Sequence, residues 1–160
     1  MRPAVLVLLL ACGPERPQAD ACKPGDNSSL EIGSGETSFE AVSEGSEVIL
    51  VHGPQGGYHV EVGLRATYID ASQLLAGTIE GTLDGERVAV AKPWLDFRCN
   101  PETESLDSWG TQLIYSAGES DIPFADLDEQ VTTITATFVN AAGVEHSAST
   151  TFTIQDPSIP

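Results

Sequence analysis

Residues 78–91, TIEGTLDGERVAVA, place two alternating apolar and polar runs on either side of Asp84-Gly85. An Asp-Gly pair in this position favours a β-hairpin, because both central residues of its tight turn need positive φ. The same alternation occurs in YHVEVGLRATY (58–68). It occurs again in QVTTITATFVN (130–140) and VEHSASTTFTI (144–154), which flank a turn at 141–143. These stretches predict an all-β, antiparallel fold.

Shorter strand candidates fill the rest of the chain, at 30–33, 37–42, 47–52, 92–99 and 109–115, with a helical turn at 70–77. About seven to nine short strands separated by turn residues are typical of one immunoglobulin-like β-sandwich. We assign the sandwich to residues 30–156 and a short C-terminal tail to residues 157–160.

The N-terminus carries the features of an export signal. Arg2 precedes an apolar run from Ala4 to Ala11, which is too short to cross a bilayer core of about 30 Å. Residues 1–11 are therefore predicted to be a signal peptide. Residues 12–29 are rich in proline and small polar residues and are predicted to form a tether.

The residues Leu9-Leu10-Ala11-Cys12 resemble the lipobox of bacterial lipoproteins. The resemblance implies that Cys12 becomes the first residue of the mature protein and carries fatty acyl chains such as palmitate. Gly13, rather than aspartate, follows the cysteine, and this implies attachment to the outer membrane. The membrane is thus a partner through the lipid anchor.

Lipidation of Cys12 leaves Cys22 and Cys99 from a total of three cysteines. An even pair in an exported chain is expected to form a disulfide, because exported chains meet an oxidising compartment. No CxxC or Cys/His spacing suggests zinc. The disulfide would join the N-terminal tail to the sandwich.

The formal net charge is −17, from 24 acidic and seven basic residues. This excess repels nucleic acid and anionic lipid surfaces, so neither is an expected partner. It favours divalent cations or basic partners, or it serves only to keep an exported protein soluble. Calcium takes oxygen ligands, and one acidic loop, 121–129, offers them. Its acidic residues are Asp121, Asp126, Asp128 and Glu129, and the same long irregular region also holds Asn100, Glu102 and Glu104. No EF-hand spacing accompanies it, and a solvated loop is the other interpretation.

The loop HGPQGGYHV (52–60) brings two histidines close in sequence, and it is a candidate interaction loop through His52, Gln55, Gly56, Gly57 and His59. A five-residue loop, Gly53 to Gly57, would pair His52 with Tyr58, Leu50 with Val60 and Val48 with Val62. His52 would then point to the core, and His59 would lie in water next to Glu61. A loop one residue shorter would place both histidines on one face, where they could bind zinc or copper. We predict the five-residue loop, because it puts Tyr58 on the apolar face of its strand.

Enzyme signatures are missing: there is no G-x-S-x-G, H-E-x-x-H or G-x-x-x-x-G-K-[ST] motif. We therefore predict no catalytic residue, no cofactor and no dedicated metal site. The closing hairpin, 133–154, resembles the last strand pair of bacterial immunoglobulin-like extracellular modules. The whole chain resembles uncharacterised small bacterial lipoproteins that carry GPQGG, then Tyr or Trp, then His. The expected function is a lipid-anchored, non-enzymatic interaction or structural module of the cell envelope with an unknown protein partner, and the alternative is a protein that binds calcium, zinc or copper.

Overall fold

The structure is a computed structural model that describes residues 20–54, 57–115 and 126–159. Within these ranges one short 3-10 turn, Asp20–Cys22, precedes the strands. The strands are β1 (Ser29–Gly33), β2 (Glu47–Ile49), β3 (Val51–His52), β4 (Tyr58–Thr67), β5 (Leu75–Leu83), β6 (Glu86–Ala91), β7 (Trp94–Leu95), β8 (Arg98–Asn100), β9 (Ser105–Ile114), β10 (Val131–Val139) and β11 (Glu145–Gln155). The predicted all-β class is confirmed.

The strands form two sheets. The first sheet has the order β1-β4-β9-β8, and β3 also pairs with β4. The second sheet has the order β2-β11-β10-β5-β6, and β7 also pairs with β5. The order β1-β4-β9-β8 corresponds to strands A-B-E-D of an immunoglobulin-type sandwich, and β5-β10-β11 corresponds to its strands C-F-G, with β6 and β2 added at the two edges. One pair departs from the expected antiparallel pattern, because β2 runs parallel to β11. The segment between β1 and β2 takes the chain from the first sheet to the second, where β2 lies at the edge beside β11.

The predicted strand 47–52 is divided between the sheets at Leu50. Val48 pairs with Ile154 of β11, and the Leu50 N–H donates to the Gln155 carbonyl, whereas Val51 and His52 pair with β4. The expected pairs of Leu50 with Val60 and of Val48 with Val62 are therefore wrong. Val48 and Leu50 are nevertheless buried, because both residues lie beside β11 and their side chains face the core from the second sheet.

The core lies between the sheets and is filled by the alternating apolar faces that the sequence predicts. Fully buried side chains come from both layers: Val62, Leu64, Ile79, Leu113, Ile134, Ala136, Phe138, Phe152 and Ile154. Tyr115 is also in the core, and its hydroxyl lies 3.0 Å from Thr132 Oγ1. Burial raises the pKa of Tyr115 to about 12, so this hydroxyl remains protonated.

Two predicted turns are confirmed. Asp84 and Gly85 adopt φ values of 49° and 83°, the left-handed pair that a tight hairpin between β5 and β6 requires. At the β10–β11 turn, Asn140 Oδ1 accepts hydrogen bonds from the Ala142 and Val144 N–H groups. The side chain of Asn140 thus holds the loop that the sequence places at 141–143.

Other local predictions need correction. Residues 37–42 form no strand beyond a lone bridge from Ser34 to Glu40. The expected helical turn at 70–77 is absent, because Asp70 Oδ1 accepts the Ser72 N–H in a local turn and Leu75 already begins β5. The single strand expected at 92–99 is two short ones, β7 and β8, and the strand expected at 109–115 begins earlier, at Ser105.

A polar cluster centred on Asp107 is embedded in the first sheet. Arg65 donates two hydrogen bonds to its carboxylate, at 2.8 and 2.9 Å. Ser105 and Asn100 donate two more. Burial disfavours the charged form of Asp107, but these hydrogen bonds and the Arg65 charge outweigh it and hold its pKa below the ordinary value. The carboxylate is therefore ionised and fully partnered.

Candidate functional site

The hairpin that carries HGPQGGYHV has the predicted pairing beside its loop. His52 pairs with Tyr58, and Val51 pairs with His59. The Gly53 N–H donates to the Gly57 carbonyl at 2.7 Å, which closes the five-residue loop. Because side chains alternate along a strand, the two histidines lie on opposite faces of the sheet. Gln55 and Gly56 of the candidate interaction loop lie outside the described residues.

His52 lies at one end of the sandwich, where it joins the hairpin to the C-terminal segment. Its Nε2 lies 2.9 Å from Asp156 Oδ2, and its ring is 6.3 Å from that of Tyr58. The side chain is 40% exposed, so the expectation that it points into the core is wrong. It stands on the core side of β3, but at the rim, because β3 ends there.

Asp156 is the buried partner in this contact. Its Oδ1 accepts hydrogen bonds from the backbone N–H and the hydroxyl of Ser158, and its own N–H donates to Asp128 Oδ1. Burial opposes ionisation, but the hydrogen bonds from Ser158 and His52 prevail, and the pKa of Asp156 is lowered. The carboxylate thus holds the C-terminal segment against the hairpin.

His59 is buried, at 8% exposure, and so the expectation that it lies in water is wrong. Its strand is central in the sheet, with Val51 on one side and Ile114 on the other. Its Nε2 bonds to Glu61 Oε1 at 3.0 Å, so the expected neighbour is present. Sequence alternation did not reveal this burial, because the flanking strands β3 and β9 are brought beside β4 only by the fold.

This arrangement gives a metal ion no shared site in the hairpin. The histidines face opposite sides, and each bonds to a different carboxylate. Across residues 20–54, 57–115 and 126–159, no group of three or more His, Cys, Asp and Glu side chains is placed to hold a metal ion.

The acidic residues weighed for calcium are partly described. Asp121 lies outside the described residues. Asp128 accepts the Asp156 N–H, and the Glu129 N–H donates to the Ile154 carbonyl. In the other acidic segment, Asn100 Oδ1 accepts the Glu102 N–H, while the Asn100 amide donates to Asp107. These contacts stabilise turns within the chain.

A disulfide joins Cys22 to Cys99, as the cysteine count predicts. It connects the 3-10 turn to β8. Beside it the Tyr68 N–H donates to the Ala21 carbonyl, and the Gly25 N–H donates to the Tyr68 carbonyl. The interval expected to be a tether therefore lies against the sandwich from Asp20 onward. Cys12 lies outside the described residues.

Another candidate site is one that the sequence did not reveal. An open cavity of about 490 Å³ lies between β6 and β7 of one sheet and β8 and β9 of the other, and both tryptophans of the chain line it. Trp94 is 71% exposed, and Arg98 lies over the ring of Trp109, with its Cζ 5.5 Å from the ring centroid. Arg98 also donates two hydrogen bonds to Asp96 Oδ2. We call this the tryptophan cavity; its rim includes Lys92, Pro93 and Gln112.

A β-bulge places Trp109 in this cavity. Leu64 pairs with Ser108 and Val62 pairs with Thr111, so Trp109 and Gly110 together stand opposite Gly63. Gly110 has φ of 73°, and its N–H donates to the Gly35 carbonyl. Bulges re-aim side chains beside functional sites. The bulge also breaks the alternation along β9, so the sequence alone could not show which way Trp109 faces.

Comparison with protein-family models, with curated proteins and with solved structures finds no match to this chain. None of the helical segments in the described ranges has the length and apolar character needed to cross a bilayer.

Proposed function

We propose that this chain is a lipid-anchored protein of the cell envelope, attached to the outer membrane through Cys12, with a sandwich that acts as a non-enzymatic interaction or structural module. The observation that carries the proposal is the Cys22–Cys99 disulfide. It accounts for two of the three cysteines and leaves Cys12, in the lipobox-like Leu9-Leu10-Ala11-Cys12, for the acyl chains. Structural disulfides are typical of exported proteins. Lipidation of Cys12 also requires export of the chain.

The distance from the anchor limits where the module acts. Cys12 and Asp20 are eight residues apart, and an extended chain spans at most about 3.6 Å per residue. The start of the sandwich therefore lies within about 30 Å of the acylated residue. A partner would be met close to the membrane surface.

The contacts around Asp156 are not those of a nucleophilic triad. A nucleophilic triad places the histidine between the serine and the carboxylate. Here Ser158 Oγ donates directly to Asp156 Oδ1 at 2.7 Å, while His52 bonds to the other carboxylate oxygen. His52 is therefore not the proton acceptor for Ser158. The metal-binding alternative gains no support from the hairpin, because its histidines lie on opposite faces.

Replacement of Cys12 should separate anchoring from folding. In Cys12→Ala we expect loss of labelling by a radioactive or clickable palmitate and loss of the protein from the membrane fraction, because no thiol remains for acylation. The Cys22–Cys99 disulfide should persist. A Cys22→Ala/Cys99→Ala double variant serves as the control and should keep the label. Equal labelling and membrane retention of Cys12→Ala and the unmodified chain would refute the lipid anchor.

A further inference from the structure

The tryptophan cavity has the features of a binding site, and its exposed Trp94 side chain does not contribute to the core of the sandwich. Trp94 exposes 71% of its surface, although tryptophan is normally highly buried in folded proteins. It lies on β7, a strand of two residues, where it packs into no core. Exposed tryptophans of this kind concentrate at sites that bind partners. The cavity volume of about 490 Å³ is within the usual range for ligand sites.

The polar groups in the cavity offer both donors and acceptors. Asp96 and Arg98 are paired with each other, so their charges cancel locally while the free edges of both groups remain open to water, at 55% and 67% side-chain exposure. Gln112 adds an amide on the same side, with its Nε2 3.4 Å from Glu61 Oε1. This set suits a neutral ligand that carries many hydroxyl groups more than it suits a free ion.

We infer that the tryptophan cavity binds a saccharide, with a pyranose ring stacked on Trp94 and its hydroxyl groups bonded by Asp96, Arg98 and Gln112. A pyranose ring has an apolar face of C–H groups and a polar rim, and it therefore matches an aromatic plane bordered by donors and acceptors. The inference deepens the proposed interaction module by naming its ligand class, and it rests on that proposal.

Other ligand classes fit less well. A quaternary ammonium group is bound best between several aromatic faces, but Arg98 already lies over Trp109, and the positive charges of Arg98 and Lys92 would repel a cation stacked on Trp94. Nucleic acid is repelled by the formal net charge of −17. A stable protein partner would bury about 800 Å² on this side, so its contact would extend well beyond the cavity.

An array of immobilised oligosaccharides, covering hexoses, N-acetylhexosamines and uronic acids, tests the site. The purified chain should be retained on at least one class, and Trp94→Ala should weaken that binding by about tenfold or more, as expected for a central aromatic contact. Leu74→Ala is the matched control, because Leu74 is an apolar residue 55% exposed outside the cavity and its loss should change nothing. Trp94→Phe should retain part of the affinity.

Intrinsic fluorescence provides a second measurement on the same sample. Trp94 and Trp109 are the two tryptophans of the chain, so their emission reports directly on the cavity. A retained oligosaccharide should shift the emission to shorter wavelength, and Trp94→Phe should isolate the Trp109 signal.

Absence of glycan retention, retention unchanged by Trp94→Ala, or capture of a protein or a choline lipid through Trp94 would each overturn the saccharide site. Membrane attachment is tested separately with Cys12→Ala. An acylated chain that binds no glycan would therefore refute the ligand class and leave the lipid anchor standing.

Discussion

Removal of the Cys22–Cys99 disulfide is expected to lower the free energy of unfolding by about 4 kcal/mol, because the bond closes a long loop in the unfolded chain. The two cysteines are separated by 77 residues. A small domain has a total stability of only about 5–15 kcal/mol. The loss would therefore remove a large share of the stability of the sandwich.

Urea unfolding of Cys12→Ser with and without the further pair Cys22→Ala/Cys99→Ala measures this effect. The Cys12→Ser background leaves no third cysteine to exchange with the disulfide. A thiol assay on that background should detect no free thiol until the protein is reduced and denatured. Two reactive thiols in the oxidised protein, or equal urea midpoints for the two variants, would contradict the role of the bond.

Asp107→Ala should lower the free energy of unfolding by about 3 kcal/mol, toward the lower end of the range for breaking a buried ion pair. The Asp107 side chain is 4% exposed, and its removal leaves Arg65 without its carboxylate partner. Arg65 is 22% exposed, and this partial access to water is the reason for the lower end of the range. Asn100 and Ser105 lose an acceptor as well.

The matched control is Asp96→Ala, which removes the carboxylate of the exposed Asp96–Arg98 pair. Its cost should be about 1 kcal/mol or less, because water and salt screen exposed pairs. Chemical unfolding of both variants decides the point. Equal stability losses for the two would show that the burial of Asp107 carries no particular weight.

The same carboxylates predict the acid sensitivity of the fold. The pKa values of Asp107 and Asp156 are lowered in the folded protein, so the folded state binds fewer protons than the unfolded state in acid. Their contribution is fully present above the unfolded value of about 3.9 and is lost as the pH falls through the lowered folded values. The melting temperature should therefore decrease as the pH is lowered through this range. The fall should be shallower in Asp107→Asn, and an identical slope would contradict the assignment.

Short-range chemistry made several features predictable. Asp84-Gly85 specifies its hairpin because the backbone demand of a tight turn is met within two residues. The faces that carry Ile134, Ala136 and Phe138 follow from the period of an extended chain. The loop closed by Gly53 and Gly57 follows from where Tyr58 must begin its apolar face. The Cys22–Cys99 pair follows from the count of cysteines once Cys12 is set aside.

Other features depend on which strands become neighbours, and alternation does not carry that information. Val48 and Leu50 are apolar in either sheet, so only the fold decided that the chain changes sheet directly after Leu50. His59 is buried because β3 and β9 flank its strand, although its sequence neighbours are polar or on the opposite face. The tryptophan cavity joins β7 to a bulge in β9, two segments brought together by packing. Local sequence determines the direction of a side chain relative to its own strand, whereas burial and binding sites depend on what packing places beside it.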